Sequence, residues 1–333
     1  MLPLRIPISD ASRVAEIRRS AAALAQAEGF TGLAVEEVAI IATEIATNLL
    51  KHAIGGEVHI STLSAAGENG VEVLSIDRGP GMANVHACMT DGYSTSGTQG
   101  TGMGAISRLA DVFDAFSQVS RGTVLVARKY LPPKQRRRAQ TWTFGAVRVP
   151  YPGETVCGDN WGVRRLGART VMLVADGLGH GLLAAEASSL AVQIFHNAPT
   201  DLLAVPLLER VHQALPATRG AAVAVASIDD HSVQYAGLGN ISGLLLGAPR
   251  PQLMVSHNGT AGLAAHRLQE FRYSLPAETT IVMHSDGIAT SWSVDAYPGL
   301  LRRHPSVIAG ILYRDASRGR DDACVVVGRI IGE

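Results

Sequence analysis

Two consecutive prolines, Pro132 and Pro133, followed by Lys134-Gln135-Arg136-Arg137-Arg138, interrupt a chain that is otherwise poor in charge. Proline fixes φ and removes a backbone donor, so no helix or central strand runs through the pair, and the charge cluster keeps the stretch at the surface. At 333 residues the chain is long enough for a core on each side. The expected division is residues 1–130, a connector 131–140, and residues 141–333. Hydrophobic residues make up 47% and charged residues 17%, so both parts are expected to be globular. The formal net charge of zero argues against nucleic acid or an anionic membrane as main partner. Cys88, Cys157 and Cys324 stand at spacings that make neither a disulfide framework nor a zinc motif, which fits a reducing cytosol. The start Met-Leu-Pro-Leu-Arg lacks the apolar core of a signal peptide, and no run approaches the roughly 20 apolar residues of a membrane span. A cytoplasmic protein is expected.

In the first part, helices are expected over about 10–29 and 34–54, with Asp10 or Ser9 as the first N-cap and Gly29 as its stop. Residues 57–63 and 71–76 alternate apolar and polar and predict half-buried strands, with a third strand over 123–129. This pattern predicts a two-layer α/β sandwich. Glu44 and Asn48 lie four apart on an otherwise apolar helix, so they share a face. Mg2+ gives such a pair a purpose: the amide oxygen can ligate it while the carboxylate takes a proton. The alternative is a solvent-facing helix edge. Asp77 ends a strand and opens Arg78-Gly79-Pro80-Gly81, where glycines let the backbone approach a ligand. Gly100-Thr-Gly102-Met-Gly104 precedes a helix expected over 105–112, and such a turn presents unpaired N–H groups to phosphate.

In this order the three pieces resemble the GHKL (Bergerat-fold) ATPase/kinase superfamily over about residues 8–130. The resemblance implies ATP with Mg2+ as cofactor, Asn48 on the metal, Glu44 as base and Asp77 on the adenine amino group. It also implies Gly79, Gly81, Gly100, Gly102 and Gly104 around the nucleotide, under a lid over 82–99. The region before Glu44 leaves no room for the phospho-acceptor helix of sensor kinases, so the compact form looks most like the serine kinases of bacterial partner-switching systems, the RsbW/RsbT group.

Beyond residue 141 short β-branched strands dominate, with helices expected over about 182–196, 202–215 and 305–314. Asp159, Asp176, Asp286 and the pair Asp321-Asp322 each stand at a strand end. Four converging carboxylates repel unless a cation offsets them, and hard oxygen ligands favour Mg2+ or Mn2+. Two ions about 3.5–4 Å apart would aim a water at phosphorus. The set resembles the PPM-type Ser/Thr phosphatases of the SpoIIE/RsbU/RsbX branch, over about residues 141–332. The resemblance implies an α/β/β/α sandwich and two Mn2+ or Mg2+. The implied ligands are Asp159, Asp176 (bridging), the Gly177 carbonyl, Asp286 and Asp321, the last preferred to Asp322. It leaves His180 either as leaving-group acid or as a loop-structuring residue, and no phosphate-gripping base is identified.

The expected protein is thus a bifunctional regulator that phosphorylates and dephosphorylates a Ser or Thr on STAS-type partners, either anti-anti-sigma or stress-signalling scaffold proteins. Two alternatives remain open at this point: a phosphatase governed by a non-catalytic ATP-binding domain, and a sequestering anti-sigma module fused to a phosphatase.

Overall fold

A computed structural model describes residues 3–85, 102–131, 142–247, 250–265 and 267–330. The expected connector 131–140 therefore lies, but for Leu131, outside the described residues. The chain forms two compact units. Unit 1 comprises Met1–Ser64, Glu68–Arg137 and Tyr297–Arg314; unit 2 comprises Ala65–Gly67, Arg138–Ala296 and Asp315–Glu333. Tyr297–Arg314 thus groups with the N-terminal part, although in sequence it lies within 141–333.

Unit 1 holds helices α1 (Ala11–Ala27), α2 (Leu33–His52) and α3 (Gly102–Leu109). Asp10 is the N-cap of α1, its carboxylate accepting the Ser12 N–H at 2.8 Å. The strands are β1 (Leu4–Pro7), β2 (Glu57–Thr62), β3 (Gly70–Ile76), β4 (Val112–Gln118) and β5 (Gly122–Tyr130). They form an antiparallel sheet in the order β1-β2-β3-β5-β4. The helix expected to reach Val112 stops at Leu109, and Val112 instead opens β4.

One face of this sheet presents Val58, Ile60, Val71, Val73, Leu125 and Ala127 to Ile17, Leu24, Ile41 and Ile45 of α1 and α2. Each such aliphatic burial stabilises by about 1.5–3 kcal/mol. Alternation puts Glu72, Ile76, Val124 and Arg128 on the other face. A helix from late in the chain, Pro305–Ala316, lies there: Ser306 bonds to Glu72 and Arg128, and Gly310 packs on Val124 and Ile76. The expectation of half-buried strands therefore fails for β3, which is buried along its whole length because both faces are covered.

Unit 2 contains β6 (Trp142–Val149), β7 (Asp159–Leu166), β8 (Arg169–Gly177), β9 (Ala221–Ile228), β10 (Ser232–Leu238), β11 (Ser242–Leu246) and β12 (Gln252–Met254). After these come β13 (Gly259–Thr260), β14 (Ala264–Ala265), β15 (Phe271–Ser274), β16 (Thr280–His284) and β17 (Ala323–Ile330). Two five-stranded sheets, β15-β10-β9-β8-β7 and β12-β11-β16-β17-β6, enclose a core that includes Phe144, Met172, Tyr235, Met283 and Val326. Helices α4 (Leu182–Asn197) and α5 (Ala204–Ala214) cover the first sheet, where Phe195, Leu207 and Val211 meet Leu173, Val223 and Val225. The helix Pro305–Ala316 is α6.

Candidate active sites

Along α2, Glu44 and Asn48 are partly exposed, while Ile45, Ala46 and Leu49 face the core. The first turn of α3 arrives against them: a Cβ on Gly102 would stand 3.0 Å from Glu44 Oε2 and 3.3 Å from Asn48 Oδ1. An acid, an amide and a helix N-terminus that lacks side-chain bulk thus meet at one place, which suits a metal-bound polyphosphate. Gly104, two residues further along, is buried.

Asp77 follows β3 and is 8% exposed. Its Oδ1 accepts the Gly79 N–H at 2.6 Å, and its own N–H bonds to the Thr123 carbonyl at 2.9 Å. Burial pushes this carboxyl upward, against the pull of backbone hydrogen bonds and of Arg314. Gly81 has φ 69°, with its Cα set close to the Gln118 carbonyl, where no side chain fits. Gly100 and most of the expected lid fall in 86–101, outside the described residues. A separate cleft of about 520 Å³ lies between Met82–Val85 and Phe113–Ser117, and it is lined by none of Glu44, Asn48, Asp77 or Gly102.

In unit 2 Asp159 and Asp176 are direct cross-strand partners in the β7–β8 register. Asp159 is 1% exposed; its Oδ2 accepts the Ser285 hydroxyl at 2.6 Å, while Oδ1 has no hydrogen-bond partner. Burial, then the Asp176 charge, raises the Asp159 carboxyl well above its ordinary range. Asp176 is pushed to about 7, first by burial and then by Asp286, with Asp321 and Asp322 adding to it. Asp286 follows β16 and is raised by burial and by Asp321. It accepts the Asn240 amide at 2.6 Å. Asp322 is buried and accepts the Tyr151 N–H at 2.8 Å, whereas Asp321 is partly exposed. Gly177 follows Asp176 so close to α4 that a Cβ would stand 2.0 Å from the Ala184 carbonyl oxygen. His180 stacks on Tyr151 at 4.3 Å and pairs with Glu154 at 2.9 Å, contacts that order the loop after Asp176.

The carboxylates raise one another without closing: among the described residues no three His, Cys, Asp or Glu side chains are gathered as a finished metal cage. A buried carboxylate oxygen without a donor is the kind of group a divalent cation satisfies. The donor set, all oxygen, fits Mg2+ or Mn2+. Ser285 and Asn240 support this cluster and were not singled out from sequence. Ser285 stands beside Asp286 in the Ser-Asp-Gly turn, but its contact with Asp159 spans 126 positions and has no local signature.

The Histidine kinase-like ATPase domain family matches residues 8–129, and the Stage II sporulation protein E (SpoIIE) family matches residues 167–330. The chain therefore joins a GHKL-type domain to a PPM-type Ser/Thr phosphatase domain, the two folds expected. Serine/threonine-protein kinase RsbT of Bacillus subtilis (strain 168) is 32% identical over 103 residues, covering 31% of this chain and 77% of RsbT. Through its N-terminal part the chain belongs to the RsbT family. Phosphoserine phosphatase RsbX of the same organism is 32% identical over 96 residues, 28% of this chain and 47% of RsbX, so about half of that relative is spanned. A solved RsbX structure in complex with magnesium aligns with TM-score 0.51 at 20% identity, covering 59% of this chain and 98% of that one. A structure described as "The bacterial stressosome: a modular system that has been adapted to control secondary messenger signaling" aligns with TM-score 0.54 at 27% identity, covering 57% of this chain and 100% of that one. No helix among the described residues is long and apolar enough to cross a membrane.

Proposed function

We propose that this chain is a two-way switch on a single class of target. One part transfers phosphate from ATP to a Ser or Thr, and the other hydrolyses the phosphoester. The observation that carries this reading is the coexistence of two sets of residues in one polypeptide. Glu44 and Asn48 lie against Gly102 in unit 1, and Asp159 is opposed to Asp176 in unit 2. The division into 1–130, 131–140 and 141–333 is retained for these two activities, with α6 as an exception.

For transfer, Glu44 takes the proton of the target hydroxyl, Asn48 holds the Mg2+ of ATP, and the N–H groups opening α3 receive the phosphates. Asp77 accepts the adenine amine and so selects ATP over GTP. Gly79, Gly81 and Gly104, with Gly100 by the family resemblance, form the glycine turns around the nucleotide. For hydrolysis, Asp159, Asp176, the Gly177 carbonyl, Asp286 and Asp321 would hold two divalent ions. Once bound, these ions supply a water of lowered pKa and offset the phosphate charge. Ser285 fixes the Asp159 carboxylate through Oδ2 and leaves Oδ1 available to an ion, and Asn240 holds Asp286 through Oδ2. Asp322 accepts the Tyr151 N–H through Oδ1 while its buried Oδ2 has no donor, so the choice of Asp321 as the ligand rests on the family resemblance.

The likeness to RsbT and RsbX supports STAS-domain proteins of a partner-switching pathway as targets. Joining both sites in one chain keeps them near one target at up to millimolar effective concentration, of order. The test is incubation of the full chain with radiolabelled ATP and STAS proteins, with and without Mn2+. Label should appear on Ser or Thr without Mn2+ and be released when Mn2+ is added. Asn48→Ala should abolish labelling and spare hydrolysis of p-nitrophenyl phosphate; equal loss of both activities would refute independent sites.

A further inference from the structure

In unit 1 the sheet face away from α1 and α2 is covered by α6, and the sequence of α6 lies between Asp286 and Asp321. Its start is tied down by polar contacts. Ser306 donates to Glu72 Oε2 at 2.6 Å and accepts from Arg128 at 3.0 Å, completing a buried Arg128–Glu72 pair at 2.7 Å. Just before it, His304 N–H donates to Asp114 at 2.6 Å. In the middle, Gly310 fits against Val124, where a Cβ would stand 2.6 Å from a methyl group.

The end of the helix reaches the nucleotide site. Arg314, 3% exposed, donates from Nη1 to the carbonyl oxygen of Asp77 at 3.2 Å. Arg78 in turn donates to the carbonyl oxygen of Arg314. Arg314 therefore holds the peptide that joins Asp77 to Arg78, Arg78 holds the backbone of Arg314, and together they fix the residue that carries the Asp77 carboxylate. The following Gly79-Pro80-Gly81 turn has no side chains able to do this. The Arg314 charge also favours the ionised form of Asp77, the form that accepts an amine hydrogen bond.

We propose that Arg314 is a positioning residue for nucleotide binding in unit 1, supplied by the stretch of chain that connects two candidate metal ligands, and that α6 links nucleotide affinity to the metal site. The inference rests on the reading of Asp77 as the adenine acceptor. If an ordered α6 strengthens nucleotide binding, nucleotide must by linkage favour the ordered α6 in return. Only residues 317–320 separate the end of α6 from Asp321, whereas 287–304 separate Asp286 from its start, so nucleotide acts on the metal-dependent phosphatase through the C-terminal end of α6.

The test uses the full chain and its Arg314→Met, Arg314→Lys and Ser306→Ala variants. ADP affinity with Mg2+ is measured by calorimetry, Tm by thermal melting, and Mn2+-dependent p-nitrophenyl phosphate hydrolysis with and without ADP. Arg314→Met should weaken ADP binding by about tenfold or more, as for loss of a hydrogen bond from a charged donor. Lysine cannot reproduce the planar fork, so Arg314→Lys should fall between the two, and it carries the test if the methionine variant does not fold. Ser306→Ala, at the far end of α6, should lower Tm yet keep ADP affinity within about twofold. ADP should change the wild-type hydrolysis rate and leave that of Arg314→Met unchanged. Unaltered affinity in the Arg314 variants, affinity that merely tracks Tm across all three variants, or a wild-type phosphatase indifferent to ADP would overturn the proposal. If the wild-type chain bound no ADP, the nucleotide reading itself would fall, a result distinct from the others.

Discussion

At Glu44 and Asn48 the polar groups are partly exposed on α2, where water can satisfy them. In contrast, Asp159 is buried against Asp176 with one oxygen that nothing donates to. The first site is shaped by what is missing, a side chain at Gly102 and a helix partner for the first N–H groups of α3. The second is shaped by excess charge. A site of the first kind costs little when empty and is sensitive to small steric change. A site of the second kind is frustrated without a cation, so it should respond to charge removal, metal and pH together.

The largest effect should come from removing the charge at the centre of the second site. Asp176→Asn should lower Mn2+-dependent p-nitrophenyl phosphate hydrolysis by roughly a thousandfold or more, as when an essential catalytic group is lost. ADP binding should survive. Because Asp176 is raised to about 7 by burial and its acidic neighbours, the same variant should melt higher than wild type when both are metal-free. Lower activity together with a lower metal-free Tm would remove the idea that charge frustration defines this site. A smaller effect is expected from Ser285→Ala, which frees Asp159 Oδ2 but leaves every proposed ligand in place. Loss of such a supporting hydrogen bond should weaken Mn2+ affinity by about 10–100-fold, read from the Mn2+ dependence of hydrolysis. A change in maximal rate with unchanged Mn2+ dependence would place Ser285 elsewhere in the chemistry.

The first site is probed by adding bulk. Gly102→Ala places a methyl group 3.0 Å from Glu44 Oε2 and 3.3 Å from Asn48 Oδ1, close enough to shift both by a few tenths of an ångström. Alanine is also the better helix former, by up to about 0.8–1.0 kcal/mol in a helix interior and by less at the first position that Gly102 holds. Tm should therefore hold or rise while phosphate transfer falls by up to about tenfold. Hydrolysis by unit 2 should not change. A stable variant with full transfer activity would show that Gly102 does not face the reacting phosphate.

These contrasts also explain what the sequence could reveal. Glu44 and Asn48 are one helical turn apart, and Asp159, Asp176 and Asp286 each sit in a glycine turn at a strand end. Such arrangements have local signatures. The N-cap of Asp10 is legible for the same reason. The contacts of Ser285 with Asp159 and of Ser306 with Glu72 span 126 and 234 positions, and no periodicity encodes them. The cover that α6 gives to β3 is equally silent, because Val71–Ile76 alternates as a half-exposed strand would, while Glu72 is buried under Ser306. β4 was hidden by its closeness to α3, only two residues separating Leu109 from Val112.

The dependence of stability on pH separates frustration from simple burial. A carboxyl raised in the folded chain keeps its proton when the unfolded chain has lost it. From the ordinary carboxylate range near 4 up to about 7, the value to which Asp176 is pushed, the folded state therefore binds more protons than the unfolded state. Stability from this group is fully present below that window and declines through it as pH rises, by at most about 1.4 kcal/mol per pH unit for one proton. Asp159, Asp77, Asp286 and Asp322 are raised too and add slopes of the same sign, and they outnumber His196 and His284, which burial lowers and which oppose them. Metal-free protein should accordingly melt lower at about pH 8 than at about pH 5. Mn2+ competes with protons for the same oxygens, so the rise in Tm that it brings should grow across that interval. In Asp176→Asn the metal-free decline should become shallower, because Asp176 no longer titrates and the repulsion it exerted on Asp159 is gone. Were the decline to persist undiminished in that variant, burial alone would account for the shifts, and the two sites would differ less than their geometry implies.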